Sequence, residues 1–251
     1  MHTITIESLA ADLRALGLEH GATIMVHSSL RAVGADHPET VVQALLLALG
    51  EEGTLLMPAL SYLQDPPTVH DSRVTPSCVG GLTEYFRTRP GSLRSLHPTH
   101  SVSGVGARVD ELLGKHGEDR TPCGPRSPFA EVLRGGKILM LGCGLRPNTA
   151  MHAVEEEAWP PYLFAEPCAY TITNATGRTF ERVYLPHNFS GFAQRYERAA
   201  ELLGPGEIVR GRVGRAETWL IDGPALRREA LAALQHDPFF FVELLPEGDE
   251  G

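Results

Sequence analysis

Three short apolar runs constrain the fold most. Thr23–His27 (TIMVH), Thr54–Pro58 (TLLMP) and Lys137–Leu141 (KILML) each follow a glycine closely and are too short for a helix, so each reads as a buried strand. Apolar residues at helical spacing occupy Ile6–Leu16 before the first run and Glu39–Leu49 between the first and second. Helix, strand, loop, helix, strand is the order of a layered α/β domain.

The remaining chain follows the same grammar. Ser61–Pro76 is rich in Pro, Asp and Ser and reads as an irregular excursion. Helices are predicted over Gly80–Arg87, Val109–Lys115, Ser127–Leu133, Thr149–Ala158, Phe192–Leu203 and Ala225–Gln235. Ser127 is placed to cap its helix, with Pro128 at the first helical position. Cys168–Thr173 with Arg178–Leu185, and Ile208–Val213 with Ala216–Ile221, read as two hairpins. Phe239–Phe241 reads as core or dimer contact, and the acidic tail after Pro246 as loose. With no repeat and no linker-like composition shift, residues 1–251 are expected to form a single domain.

Composition excludes some functions. A net charge of −9 argues against non-specific nucleic-acid binding, which needs basic patches. Cys78, Cys123, Cys143 and Cys168 are well separated and include no CxxC pair, so they read as free thiols of a reducing compartment. No basic region followed by an apolar run marks a signal peptide, and no apolar run approaches the ~20 residues that cross a bilayer. The expectation is a cytoplasmic protein with neither nucleic acid nor membrane as partner.

Two stretches carry the chemistry, Arg120–Pro128 (RTPCGPRSP) and Leu141–Glu157 (LGCGLRPNTAMHAVEEE). His152 and Glu155 lie three apart at the start of a predicted helix, so they share a face. An imidazole with a carboxylate partner suits a general base; a local surface pair is the alternative. The pair follows a strand and a Gly-rich turn, the position where α/β sheets place their sites. Asp119 is a loop carboxylate that either orients His152, meets a substrate ammonium or serves as a turn residue. The loop His27-Ser28-Ser29-Leu30-Arg31 leaves the first strand and can cradle phosphates, although it has neither Walker nor GxGxxG form. His97, His100, Cys143, His152 and His187 lack zinc-motif spacing, so no metal is expected. Glu156 and Glu157 read as solvated.

Taken in series, several segments resemble the aminoglycoside 3-N-acetyltransferase family, antibiotic N-acetyltransferases distinct from the GNAT fold. They run from Met25–Gly34 (MVHSSLRAVG) and Gly53–Met57 through Asp71, Thr75–Ser77, Gly81–Arg87, Arg94-Ser95, His97-Pro98 and Ser101. They continue to Asp119, Ser127-Pro128, Leu141-Gly142 and Thr149–Glu155, roughly the first two thirds of the chain. The resemblance implies a three-layer α/β/α fold with a central mixed sheet and a C-terminal part containing a hairpin. It implies acetyl-CoA as co-substrate and direct attack of a small-molecule amine on the thioester. By position, His152 matches the catalytic histidine, Glu155 the acid three residues on, and Asp119 the nearby loop acid. Ser28, Ser29 and Leu30 match the loop that meets the CoA pyrophosphate, and Ser101 and Val102 the segment near the pantetheine arm. Backbone N–H groups around Ser101–Ser103 are the expected oxyanion donors.

One departure concerns the acceptor. Family members that modify aminoglycosides carry acids just before the late amphipathic helix, where this chain reads Leu185-Pro186-His187-Asn188-Phe189-Ser190. A polycationic drug calls for carboxylates there. Two readings therefore stand: an acyltransferase acting on an amine, possible as a homodimer, and a divergent CoA-binding or small-molecule-binding protein of the same fold.

Overall fold

The structure is a computed structural model that describes residues 4–246; the expected loose tail after Pro246 lies outside the described residues. Helix α1 (Ile6–Ala15) starts from a capping box between Thr5 and Ser8 and leads into β1 (Thr23–Ser28). The short α2 (Leu30–Val33) follows, then α3 (Pro38–Leu49) with Pro38 in its first turn, and β2 (Thr54–Pro58). The Pro-rich excursion is largely irregular but contributes β3 (Val69–Asp71). Next come α4 (Gly81–Thr88), β4 (Leu93–Arg94), β5 (Val102–Gly106) and α5 (Val109–Gly114).

Helix α6 (Pro128–Gly135) is capped by Ser127, whose hydroxyl accepts from the Ala130 N–H. Then follow β6 (Lys137–Leu141), α7 (Met151–Ala158), and the hairpin β7 (Cys168–Thr173) and β8 (Thr179–Tyr184). Gly177 makes that hairpin possible, since its φ of 83° favours a residue without Cβ. The chain ends through β9 (Phe192–Gln194), β10 (Ile208–Val213), β11 (Ala216–Asp222), α8 (Gly223–His236) and β12 (Val242–Leu244).

A seven-stranded mixed sheet in the order β10-β11-β6-β1-β2-β5-β4 forms the middle layer. β1 runs parallel to both β2 and β6, while β11 and β5 flank this trio antiparallel. The expected C-terminal hairpin is β10–β11, and it extends the central sheet. The other hairpin joins β3 in a separate three-stranded sheet.

Alternate residues of the central strands feed two cores, as the two-residue period of a strand requires. Ile24, Val26, Leu55, Met57, Leu139 and Leu141 enter the core under α1, α3 and α4. Met25, Leu56, Ile138 and Met140 enter the opposite core, with Phe129, Val132, Val154, Leu226 and Ala230 from α6, α7 and α8. Burial on both faces is why these strands read as continuous apolar runs rather than alternating ones.

The predicted helix over Phe192–Leu203 does not form as one element. Phe192–Gln194 is strand β9, paired with β12, and Tyr196–Glu201 is a 3-10 turn. Pairing with Val242–Leu244 overrides the local pattern there. Phe241 is fully buried, whereas Phe239 is 43% exposed. Among the described residues no helix is long and apolar enough to cross a membrane.

Candidate active site

The carboxyl ends of β1, β2 and β6 open into a cavity of about 670 Å³. Ser28 and Pro58 line it from β1 and β2, and Cys143 and Arg146–Thr149 from the loop after β6. Gly142 begins that loop at φ 73°; a Cβ there would approach Ala32 Cβ to 2.7 Å, so glycine is required. His27, at the end of β1, accepts the Thr149 N–H on Nε2 at 3.0 Å, and Asn148 Oδ1 accepts the Ala150 N–H at 3.2 Å. His27 thus docks the start of α7 against the sheet, and Asn148 closes the turn that enters it. The helix is stopped at Trp159, in the left-handed region ahead of Pro160.

Helix α7 delivers His152 to the cavity wall and buries Glu155 beneath it. Glu155 Oε2 lies 3.1 Å from His152 Nδ1 and accepts the Tyr196 hydroxyl at 2.7 Å. Glu155 Oε1 accepts the Tyr162 hydroxyl at 2.8 Å. A fully buried carboxylate is sustained here by surrounding donors, and an Nδ1–H facing it leaves His152 Nε2 as a bare lone pair. Burial and the adjacent Glu155 push the Tyr196 hydroxyl well above the ordinary tyrosine value, so it remains a donor.

Asp119 does not orient this imidazole. Its Oδ2 accepts the Arg126 N–H at 2.9 Å, and Gly124 packs so tightly on its carboxyl that a Cβ would sit 2.8 Å from Cγ. The carboxylate is spent on folding its own Pro- and Gly-rich loop, and burial raises its pKa. Ser101 and Val102 are also absent from the cavity lining. Ser101 Oγ accepts from Arg94 Nε and donates to Ala59 O, each at 2.8 Å, and Val102 is fully buried. Two of the expected oxyanion donors are also placed elsewhere: the Val102 N–H reaches Ser95 Oγ at 2.8 Å, and Ser103 lies in β5 between β2 and β4. Of the β1 loop, Ser28 lines the cavity. Ser29 donates its N–H to Leu141 O, and Leu30 packs on the core.

Glu156 is not solvated. It is buried because α7 is enclosed on most of its circumference, and its Oε1 meets the Cys123 N–H at 2.6 Å and His187 Nε2 at 2.7 Å. Glu157 is exposed and pairs with Arg227. His187 and His100 share the cavity wall with His152. Burial holds both of these imidazoles well below the usual histidine value, hence neutral. A ring nitrogen of each of the three lies within 4.8 Å of the others, a convergence that their sequence separation conceals. His97 is occupied elsewhere: it stacks on His116, and its Nδ1 accepts the His100 N–H at 3.0 Å.

Sequence reading missed Tyr162 and Tyr196 as parts of the site. No local spacing marks them, because they arrive from distant segments. Cys143 touches the cavity, but burial raises its thiol to about 11, so it holds almost no thiolate near neutrality.

A mixed sheet between helical layers, with a histidine held by a glutamate in a cleft beyond its parallel strands, defines an α/β protein with a polar cleft at the carboxyl ends of its central strands. Comparison with known proteins makes this specific. The chain belongs to the family described as aminoglycoside 3-N-acetyltransferase, whose sequence profile matches residues 25–235. It is 38% identical to aminoglycoside N(3)-acetyltransferase VII of Streptomyces paromomycinus over 180 residues, covering 63% of this chain and 62% of that protein. It is 33% identical to aminoglycoside N(3)-acetyltransferase IV of Salmonella sp over 248 residues, covering 96% and 90%. A solved structure of AAC-IIIb in binary complex with CoASH superposes with a TM-score of 0.82 at 29% identity, over 98% of this chain and 100% of that one.

Proposed function

We propose that the chain transfers an acetyl group from acetyl-CoA to an amine of a small molecule, by direct attack within a ternary complex. The observation that carries this reading is His152, held through Nδ1 by Glu155 and facing the cavity. His152 Nε2 takes the proton as the amine attacks the thioester carbonyl, the Glu155 carboxylate stabilises the resulting imidazolium, and CoA leaves as the thiolate. Direct attack is favoured over an acyl-enzyme because the Cys143 thiol is raised to about 11. A relative of the same fold binds CoASH, which supports acetyl-CoA as co-substrate. The Ser28–Leu30 loop at the end of β1 is the proposed pyrophosphate contact, through Ser28 at the cavity.

The acceptor reading follows from charge. Among the described residues lining the cavity there is no Asp or Glu, and Arg146 is the fixed cation. The relatives' names point to aminoglycosides, yet several ammonium groups entering a cleft without carboxylates would stay uncompensated. An amine with few other positive charges fits better. We assign the reaction to this chain's own cleft and to a cytoplasmic setting.

The test is thiol release from acetyl-CoA across a panel holding both mono-amines and aminoglycosides. Saturable, acceptor-dependent release that is best with singly charged amines supports the reading. Preference for aminoglycosides overturns the acceptor assignment. Slow thioester hydrolysis indifferent to acceptor favours a CoA-binding protein instead.

A further inference from the structure

A lone general base needs one lone pair, yet three converge on this cavity. The ring centroids lie 4.8 Å apart for His152 and His187, 5.3 Å for His100 and His187, and 5.9 Å for His100 and His152. Three imidazoles bound tetrahedrally to one zinc ion, with Zn–N about 2.0–2.1 Å, hold their centroids roughly 5 Å apart.

One nitrogen of each ring has a hydrogen-bonding partner behind it. His152 Nδ1 meets Glu155, His187 Nε2 meets Glu156 Oε1 at 2.7 Å, and His100 Nδ1 meets Thr99 Oγ1 at 2.9 Å. A carboxylate or hydroxyl behind a histidine fixes its tautomer and makes the other nitrogen a better ligand, the arrangement typical of metal-binding histidines. His187 Nδ1 is buried without a hydrogen-bond partner among the described residues. Neutral nitrogen donors with the cavity at the fourth position suit a borderline ion such as Zn²⁺ or Co²⁺, not Mg²⁺ or Ca²⁺.

We propose that His100, His152 and His187 hold one divalent ion of the zinc class, and that this ion silences transfer by occupying the His152 lone pair that receives the amine proton. Binding stands on the geometry; silencing also rests on the proposed role of His152.

The experiment uses the full chain stripped with chelator. Zn²⁺ is titrated by calorimetry and Co²⁺ by visible absorption, and acetyl transfer is followed at the same free Zn²⁺ concentrations. One ion binds per chain, Co²⁺ gives a four-coordinate spectrum, and turnover falls with a midpoint equal to the measured Kd and returns with EDTA. Glu156→Gln weakens binding by about 10–100-fold, as loss of a supporting carboxylate does. His187→Ala weakens it at least as much, both variants being checked for native circular dichroism. Absence of stoichiometric binding, or undiminished binding in folded His187→Ala, overturns the site. Binding without inhibition overturns the silencing, as does turnover that requires the ion. The base assignment falls separately, only if metal-free His152→Ala retains turnover.

Discussion

The Tyr196 hydroxyl donates to Glu155 Oε2 at 2.7 Å and lies 2.8 Å from His152 Nδ1, joining a segment 41 residues downstream to the acid and to the imidazole it holds. Tyr196 is 2% exposed and Glu155 is fully buried, so the acid keeps this donor in place of water.

Tyr196→Phe removes a donor from a buried carboxylate. Loss of one hydrogen bond to a charged group is worth about 1.5–3 kcal/mol, so turnover falls by roughly tenfold or more and thermal stability drops measurably. Affinity for CoASH, read by calorimetry, stays near wild type. An unchanged turnover number would remove Tyr196 from the positioning of His152.

Arg94 is a partly buried cation that serves the fold. Its guanidinium donates to Ala59 O, Thr75 O and Ser101 Oγ, tying three loops together. Burial lowers its pKa to about 10 without neutralising it. Arg94→Met strands these acceptors and destabilises the protein by about 3 kcal/mol or more. Chemical denaturation reads this as a lowered midpoint.

Stability falls on acidification below the usual histidine pKa. Burial depresses His70 to about 3 and His116 to about 4. In the unfolded chain both protonate near 6.5, so between about 6.5 and 4 the unfolded state binds protons that the native state refuses. Their contribution is fully present above about 6.5 and is lost as pH falls through this window. Tm measured across the range should decline steadily from pH 6.5 toward 4; a Tm that rises on acidification contradicts the neutral burial of these rings.

Gln194 lines the cavity and offers a place to add the missing negative charge. Gln194→Glu should raise kcat/KM for a polycationic acceptor relative to a mono-amine by about fivefold, the size of an ion pair worth roughly 1 kcal/mol. Equal effects on both acceptors would contradict the charge argument.

The fold was largely legible because the central strands are buried on both faces and advertise it as unbroken apolar runs. His152 and Glu155 were legible for a similar reason: their contact is local, set by helical spacing. Failure began where contacts lie beyond one helical turn and depend on how a loop or tertiary neighbour folds. Asp119 looked like an orienting acid, but only the folded loop reveals that the Arg126 N–H claims it. Ser101 looked like a ligand contact, but Arg94 and Ala59 occupy its hydroxyl. Tyr162, Tyr196 and the trio of His100, His152 and His187 meet only through tertiary packing, as does the β9–β12 pairing that replaced the expected helix.

The central claim is tested most directly by His152→Ala, assayed metal-free with saturating acetyl-CoA and a responsive amine. General-base assistance is worth about 10²–10⁴ in rate, so turnover should fall by that factor while CoASH binds with nearly unchanged Kd. Turnover retained at the wild-type level would contradict the account.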